Sequence, residues 1–365
     1  MKRRDLIIAA GASASLALPS RAQASRILLG QSAAFSGPAT ELGRQFEKVN
    51  AKGGINGKSI ELRSMDDGYE PDRCAANTKK LLEEGVLALF GYIGTPTGVV
   101  ALPLATAAKT PFIAPFTGAE ALRQPFNRFA FHVRASYYDE TGEIVKQLLA
   151  IGLKRIAVFY QNDAYGKAGL DGVVRALKPL NLEPASLGTV ERNTVDVAAS
   201  VKSIMGGKPD AIVQISAYKS CAAFIREARK AGFGGTFYNV SFVGTAALLK
   251  ELGADARGVV VSQVMPFPYS PLTLVTGEYL AAGKAVHGDK FEPNYSSIEG
   301  YVGAKVMVEA LRRGGGASSE ALIGALETLR DHNVGGFYVD FSPTKHTGSK
   351  YVNLTILTAD GRVRS

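Results

Sequence analysis

From residue 26 onward, short apolar runs alternate with longer segments whose apolar residues recur every three or four positions. The runs at 27–31, 60–65, 86–92, 111–114 and 129–133 predict strands, as do 156–160, 185–190, 211–216, 236–240 and 259–264. Helical spacing fills the intervals 72–84, 97–109, 137–151, 165–178, 195–205, 218–231, 272–286, 296–312 and 319–329. Strands alternating with helices in this way predict an α/β fold whose parallel sheets are covered on both faces.

Within this alternation, residues 86–122 stand out. The run 86–92 leads into a Gly/Thr/Pro turn and a helical stretch, and 111–114 ends in a second turn at 115–119. In an open parallel sheet such turns lie at the carboxyl ends of strands, where ligands bind, and helix N-termini there offer free N–H groups to an anion. The stretch 236–248 repeats the outline of 110–122: Thr110, Phe116, Gly118 and Ala121-Leu122 are matched by Thr236, Phe242, Gly244 and Ala247-Leu248. Two copies of one βα unit predict two similar lobes with matching turns across a cleft.

The segments 30–38 (GQSAAFSGP), 50–57 (NAKGGING), Asp66-Asp67, 91–98, 160–166 and 228–233 run in order along the chain and resemble the periplasmic solute-binding proteins of ABC transporters, leucine/isoleucine/valine-binding type. The resemblance implies two Rossmann-like lobes joined by a multi-strand hinge, the type I periplasmic binding fold. Residues 25–134 and 265–341 would form lobe one, and 135–264 and 342–365 lobe two. It further implies a non-enzymatic, monomeric protein with no cofactor, whose partners are a small-molecule carboxylate and an ABC permease. The chain itself supports breaks near 134–136 and at 265–271, where three prolines in seven residues stiffen a crossover. One departure is the first helix. Residues 43–50 leave room for about two turns, fewer than the family usually has.

Composition adds an address. Lys2-Arg3-Arg4, a mildly apolar stretch at 6–18 and Ala22-Gln23-Ala24 have the three parts of an export signal, with cleavage expected after Ala24 and a twin-arginine-like Arg3-Arg4 pair. The expected destination is the periplasm. Losing Lys2, Arg3, Arg4, Arg21 and Asp5 lowers the formal charge of +9 by three, and no basic run remains, so the charge reads as solvated surface and not as a nucleic-acid footprint. Cys74 and Cys221 fall in different lobes and are expected not to pair; the family's frequent disulfide would fall at Tyr69 and Gly94.

The four histidines lack metal-ligand spacing, and neither a P-loop nor a Gly-x-Ser-x-Gly elbow occurs. The acidic stretch Asp66-Asp67-Gly-Tyr-Glu70-Pro-Asp72 reads either as a cation or ammonium site, or as acids favoured at the N-terminus of the Pro71 helix. Ser296-Ser-Ile-Glu299 fits a capping box, with a cleft role for Glu299 as the other reading. By resemblance, Thr95 and the turn of Phe116, Thr117 and Gly118 hold the ligand carboxylate, Thr95 doubling as a helix cap. Tyr165 and Tyr218 would close from lobe two, or else pack half-buried beside helix starts. Family amino-acid binders place a glutamate for the ligand ammonium where this chain has Ser241, followed by Phe242. The expected ligand is therefore a carboxylate without an ammonium, such as a branched 2-oxo acid or an aromatic acid. A leucine-type amino acid remains open if Asp139, Asp163 or Glu299 takes over. A hydrolase using Asp66 and Asp67, or a sensory lobe pair for a receptor, are the alternatives in other classes.

Overall fold

A computed structural model of the chain describes residues 26–34, 50–51 and 53–365. The expected leader and nearly all of the expected first helix lie outside the described residues. The first sheet contains β1 (Ile27–Ala33), β2 (Ile60–Asp66), β3 (Ala88–Phe90), β4 (Phe112–Ile113) and β5 (Ala130–Phe131) in the order β2-β1-β3-β4-β5, all parallel. Successive residues of β3 point to opposite faces. Leu89 packs with Leu81 of α1 (Pro71–Glu83) and Ala101 of α2 (Thr95–Ala107), whereas Phe90 packs with Val302 and Met307.

The second sheet is larger and mixed. Its order is β14-β13-β10-β9-β8-β6-β7, from β6 (Ile156–Gln161), β7 (Leu187–Val190), β8 (Ala211–Ile215), β9 (Thr236–Asn239), β10 (Val260–Gln263), β13 (Asn353–Leu357) and β14 (Val363–Arg364). β13 and β14 run antiparallel at one edge; the other pairings are parallel. One face is covered by α3 (Tyr137–Ala150) and α4 (Ala164–Leu177), the other by α5 (Ala198–Gly206), α6 (Tyr218–Lys230) and α7 (Thr245–Leu252). The wholly buried β8, Ala-Ile-Val-Gln-Ile, has the near-continuous apolar run of a strand covered on both faces. The helix α7 and the strands β13 and β14 were not among the sequence expectations. A separate hairpin pairs β11 (His332–Asn333) with β12 (Tyr338–Val339).

The chain passes between the sheets at residues 132–136, 264–273 and 341–352. After the second passage, α8 (Leu274–His287), α9 (Tyr295–Gly314) and α10 (Ser319–Glu327) return to the first sheet, where Val275, Val302, Met307 and Leu326 share one core with Leu29, Phe90 and Phe131. Cys74 and Cys221 are buried and free. Among the described residues, no helix is long and apolar enough to cross a membrane.

α4 carries Tyr165 and sits unusually close to its sheet. Gly166, Gly169 and Gly172 recur every three residues along it; a Cβ at Gly169 would stand 2.6 Å from Cγ2 of Ile215, and one at Gly172 2.3 Å from Oγ1 of Thr141. Glycine inside a helix costs up to about 1 kcal/mol, which the close approach to β8 and α3 offsets. Gly169→Leu is expected to lower stability by about 1–3 kcal/mol through overpacking, read from the urea midpoint. An unchanged midpoint would mean that α4 can shift without penalty.

Candidate functional site: an aromatic cleft beside a buried arginine

The two turns of the first sheet are tied together. Phe116 N–H donates to the Tyr92 carbonyl at 2.7 Å, and Gly94 N–H to the Phe116 carbonyl at 3.2 Å. The hydroxyls of Thr95 and Thr117 lie 2.7 Å apart in a mutual hydrogen bond, and Thr117 Oγ1 also donates to the Tyr137 hydroxyl at 3.4 Å. Gly118 lies under Tyr137: its carbonyl accepts from Tyr137 N–H at 2.7 Å, and a Cβ there would come within 2.6 Å of that nitrogen. Thr95, Thr117 and Gly118 are thus adjacent but buried, and none borders the cleft cavity. Thr95 is the first helical residue of α2; the cap position is Gly94, which has no side chain to cap with, and the Thr95 hydroxyl is turned to Thr117.

The echo across the cleft is a contact. The rings of Phe116 and Phe242, equivalent positions of the repeated unit, have centroids 5.7 Å apart. Phe242 also meets Tyr69 at 5.9 Å and Tyr165 at 4.6 Å, and Tyr165 meets Tyr137 at 5.5 Å. Such offset and tilted pairs contribute about 0.5–1.5 kcal/mol each beyond their buried area. A cavity of about 390 Å³ opens beside this cluster, bounded among others by Tyr69, Ile93, Phe116, Tyr218, Phe242 and Asn294. The volume suits a small organic molecule. The Tyr165 hydroxyl is fully buried without a hydrogen-bond partner, and burial raises its pKa well above the usual phenol value. Tyr69 stacks over Gly94, whose φ is 102° and where a Cβ would lie 2.3 Å from the tyrosine ring. The positions of the family disulfide are therefore neighbours here, filled by a large ring on a residue without a side chain.

Behind the aromatic wall lies a charge network that sequence reasoning missed. Arg134, at 1% exposure, leaves the end of the first sheet and reaches Glu140 of α3 at 3.3 Å and Glu299 of α9 at 3.4 Å. Its guanidinium donates to the Ser241 hydroxyl and lies over the Phe116 ring, 4.8 Å from the centroid. Glu140 is fully occupied. It accepts from Ser241 N–H at 2.7 Å, Ser241 Oγ at 3.0 Å and Ser262 Oγ at 2.6 Å. Ser241 borders a small recess shared with Phe116 and Glu299 and does not line the 390 Å³ cavity. A signal was available: Glu140 falls on the buried stripe Tyr137, Thr141, Ile144, Val145, Leu148 of α3, where a carboxylate needs a partner.

The remaining acids have structural employment. Asp139 closes a capping box with Ser136, and Asp163 caps α4 through the N–H groups of Tyr165 and Gly166. Asp67 accepts from Ser32 Oγ at 2.7 Å and Tyr69 N–H at 2.8 Å, with burial raising its pKa, and Asp66 pairs with Arg73 at 2.8 Å. Among the described residues, no cluster of His, Cys, Asp and Glu could hold a metal ion. Glu70 instead reaches across to the second sheet, where Arg192 meets it at 2.8 Å and Asn193 Nδ2 donates to it at 2.7 Å. The expected capping box at 296–299 is corrected. α9 starts one residue earlier and its cap is Asn294, whose Oδ1 accepts from Ser297 N–H at 2.8 Å; this frees Glu299 to face Arg134.

The sequence profile of a family described as periplasmic binding protein matches residues 27–362. The chain belongs to this family. Among curated relatives, Leu/Ile/Val-binding protein homolog 7 of Brucella abortus is 25% identical over 329 residues, covering 83% of this chain and 81% of the relative. The leucine-specific-binding protein of Salmonella typhimurium is 24% identical over 293 residues, with 78% and 79% covered. The crystal structure of a possible leucine/isoleucine/valine-binding protein from Rhodopirellula baltica is 35% identical, superimposes with a TM-score of 0.86, and covers 92% of this chain and 95% of that one. This periplasmic binding protein is thus of the leucine-binding type, built from two α/β lobes with a cleft between them.

Two outcomes test the site. Glu70→Ala is expected to shift the lobes toward an open arrangement by no more than about fivefold, since exposed ion pairs contribute roughly 0.2–1 kcal/mol. Small-angle scattering in low and high salt reads this, and an unchanged profile would leave Glu70 a passive surface residue. Burial raises the Glu299 carboxyl from 4.5 to about 7, against the opposing pull of Arg134. The folded chain therefore holds a proton that the unfolded chain has released between about 4.5 and 7. Stability from this group is full below that window and falls as pH rises through it. Urea titrations across the window should show this fall in the parent and lose it in Glu299→Gln; identical slopes would place Glu299 outside the network.

Proposed function

We propose that this chain is the extracytoplasmic substrate-binding component of an ABC importer, exported to the periplasm, and that its lobes close on a small apolar carboxylate lacking an ammonium group. The best candidates are a branched 2-oxo acid or an aromatic acid. The observation carrying this reading is the Arg134 guanidinium on the Ser241 hydroxyl. At the position where amino-acid binders of this type are expected to carry a glutamate, the chain has a serine held by a cation. A ligand ammonium there would find no free carboxylate, because the nearest one, Glu140, is already taken by Arg134, Ser241 and Ser262, and an unpaired buried charge costs several kcal/mol. The aromatic walls of Tyr69, Phe116 and Phe242 favour a flat or branched apolar body. The carboxylate is assigned to the Thr95–Thr117–Gly118 turn, with Tyr165 and Tyr218 closing from the other lobe. Ligand entry then has to part the Thr95–Thr117 bond.

A second reading keeps a leucine-type amino acid. It draws on Glu299, the one substitute acid that borders the inner end of the cleft beside Phe116 and Ser296. Against it stand Arg134, which already lies 3.4 Å from the Glu299 carboxyl, and burial, which raises that carboxyl to about 7.

A thermal-shift panel separates the two. 4-Methyl-2-oxopentanoate or benzoate is expected to stabilise the chain by about 2.7 kcal/mol at a hundredfold excess over Kd, with leucine, isoleucine and valine inert. The bound acid should be recovered unchanged by mass spectrometry. Stabilisation by the amino acids alone overturns the ammonium-free reading, and conversion of the ligand overturns the binding role.

A further inference from the structure

On the opposite side of the crossover from the cleft lies a second, smaller cavity of about 120 Å³, bounded by Leu122, Arg123, Gln124, His132 and His346 together with the exposed loop at 344–347. Four buried nitrogens on its lining residues have no hydrogen-bond partner: Nε and Nη1 of Arg123, Nδ1 of His132 and Nε2 of His346. The three side chains are at most 6% exposed. Such unpaired buried groups are rare and costly. Among the described residues, no Asp or Glu borders the cavity. The third guanidinium nitrogen, Nη2, donates weakly to the carbonyls of Thr117, Arg134 and Ala135 at 3.3–3.4 Å. Among the described residues, Arg123 is therefore a buried cation without a salt-bridge partner, and burial lowers its pKa to about 10.

The histidines add a second requirement. His132 Nε2 lies 2.9 Å from the Leu122 carbonyl and His346 Nδ1 lies 3.1 Å from the Ala130 carbonyl. A carbonyl only accepts, so each of these nitrogens carries the proton, and in the neutral rings the unpartnered nitrogens carry lone pairs. Burial favours the neutral rings, holding His346 down at about 4 and His132 well below its usual value, with Arg123 and Arg128 adding to the effect. Glu327 is 3.5 Å from His346 Nε2 without a hydrogen bond, Glu120 and Asp139 act on Arg123 through space without pairing with it, and the Lys345 ammonium is taken by Asp340 at 2.7 Å. The residues lining the cavity thus carry two unpartnered guanidinium donors and two unpartnered neutral imidazole nitrogens.

We propose that the cavity formed by Arg123, His132 and His346 binds a small oxyanion that still carries a proton, inorganic hydrogen phosphate in the first instance. Its unprotonated oxygens accept from Arg123, and its P–OH donates to an imidazole lone pair. The charge compensates Arg123, and the size suits a cavity of a few water volumes. Sulfate has the same shape and no proton at neutral pH, so it faces the imidazole lone pairs with another lone pair.

Calorimetric titration of the folded chain at pH 8 with sodium phosphate and with sodium sulfate tests this. Phosphate is expected to bind at one saturable site and sulfate on the order of tenfold more weakly, the effect of one or two lost hydrogen bonds. Arg123→Met should abolish the phosphate heat. Should that variant not fold, His346→Phe retains the ring stacked on Phe131 and removes one acceptor; it should weaken phosphate by about tenfold and narrow its advantage over sulfate. A phosphate soak should place density against Nε and Nη1 of Arg123. Equal affinity for the two anions, no heat with phosphate, phosphate heat unchanged in folded Arg123→Met, or density only in the aromatic cleft would each overturn the proposal.

Discussion

A guanidinium at 1% exposure cannot be left alone, and much of the site follows from how Arg134 is neutralised. Removing one partner from a buried ion pair costs roughly 3–5 kcal/mol, so the elements carrying those partners are held in place. Arg134 leaves the first sheet; Glu140 belongs to α3, against the second sheet; Glu299 belongs to α9, against the first. Glu140 then orders Ser241 and Ser262, which fixes the short turn at Ser241–Val243 and, one residue on, the ring of Phe242. The aromatic contact across the cleft is therefore aimed by a polar network behind it. Arginine suits this role better than lysine, because a planar guanidinium can serve two carboxylates, a hydroxyl and an aromatic face together.

The same network restricts what the cleft can recognise. Every oxygen of Glu140 is engaged, Asp139 and Asp163 cap helices, and Ser241 is bound to a cation. What faces the 390 Å³ cavity is mostly ring and small side chain. A wall of this kind discriminates by shape, with one or two kcal/mol per methylene, and strongly rejects a charge it has nothing to pair with. The proposed selectivity against an ammonium rests on where the protein's own charges are already committed.

The alternation of strands and helices was legible because the central strands bury both faces and most helices one, which leaves distinct periods in the sequence. The repeat was legible too, and Phe116 and Phe242 meet where the repeated outline placed them. The edge strands β13 and β14 and the eight-residue helix α7 were not foreseen; short elements carry too few residues for either period to stand out. Within the site, Phe116, Tyr218 and Phe242 border the cavity, whereas Thr95, Thr117, Gly118 and Tyr165 lie packed behind it. The capping box at 296–299 misled because the pattern Ser-x-x-Glu ignores a competing cap two residues upstream. Arg123 and Arg134 went unnoticed for a deeper reason. Isolated basic residues read as solvated surface, and only tertiary packing reveals that a chain passing between two sheets has buried them.

Arg123 and Arg134 stand eleven residues apart on the two sides of one crossover, and their environments are opposite. Arg134 is surrounded by carboxylates and hydroxyls. Arg123 touches only carbonyl oxygens, two of them on Arg134 and Ala135, where the chain leaves the first sheet, and the third on Thr117 in the turn beside the cleft. A cation bound to backbone carbonyls holds those peptides in orientation but is not itself neutralised by them. Any anion that reached Arg123 from outside would pull its guanidinium against these three weak bonds. The backbone that would feel the pull is the strand crossing between the lobes and the turn next to Phe116. Among the described residues, Arg123 therefore ties the chain leaving the first sheet to the turn next to Phe116 while no carboxylate forms an ion pair with it.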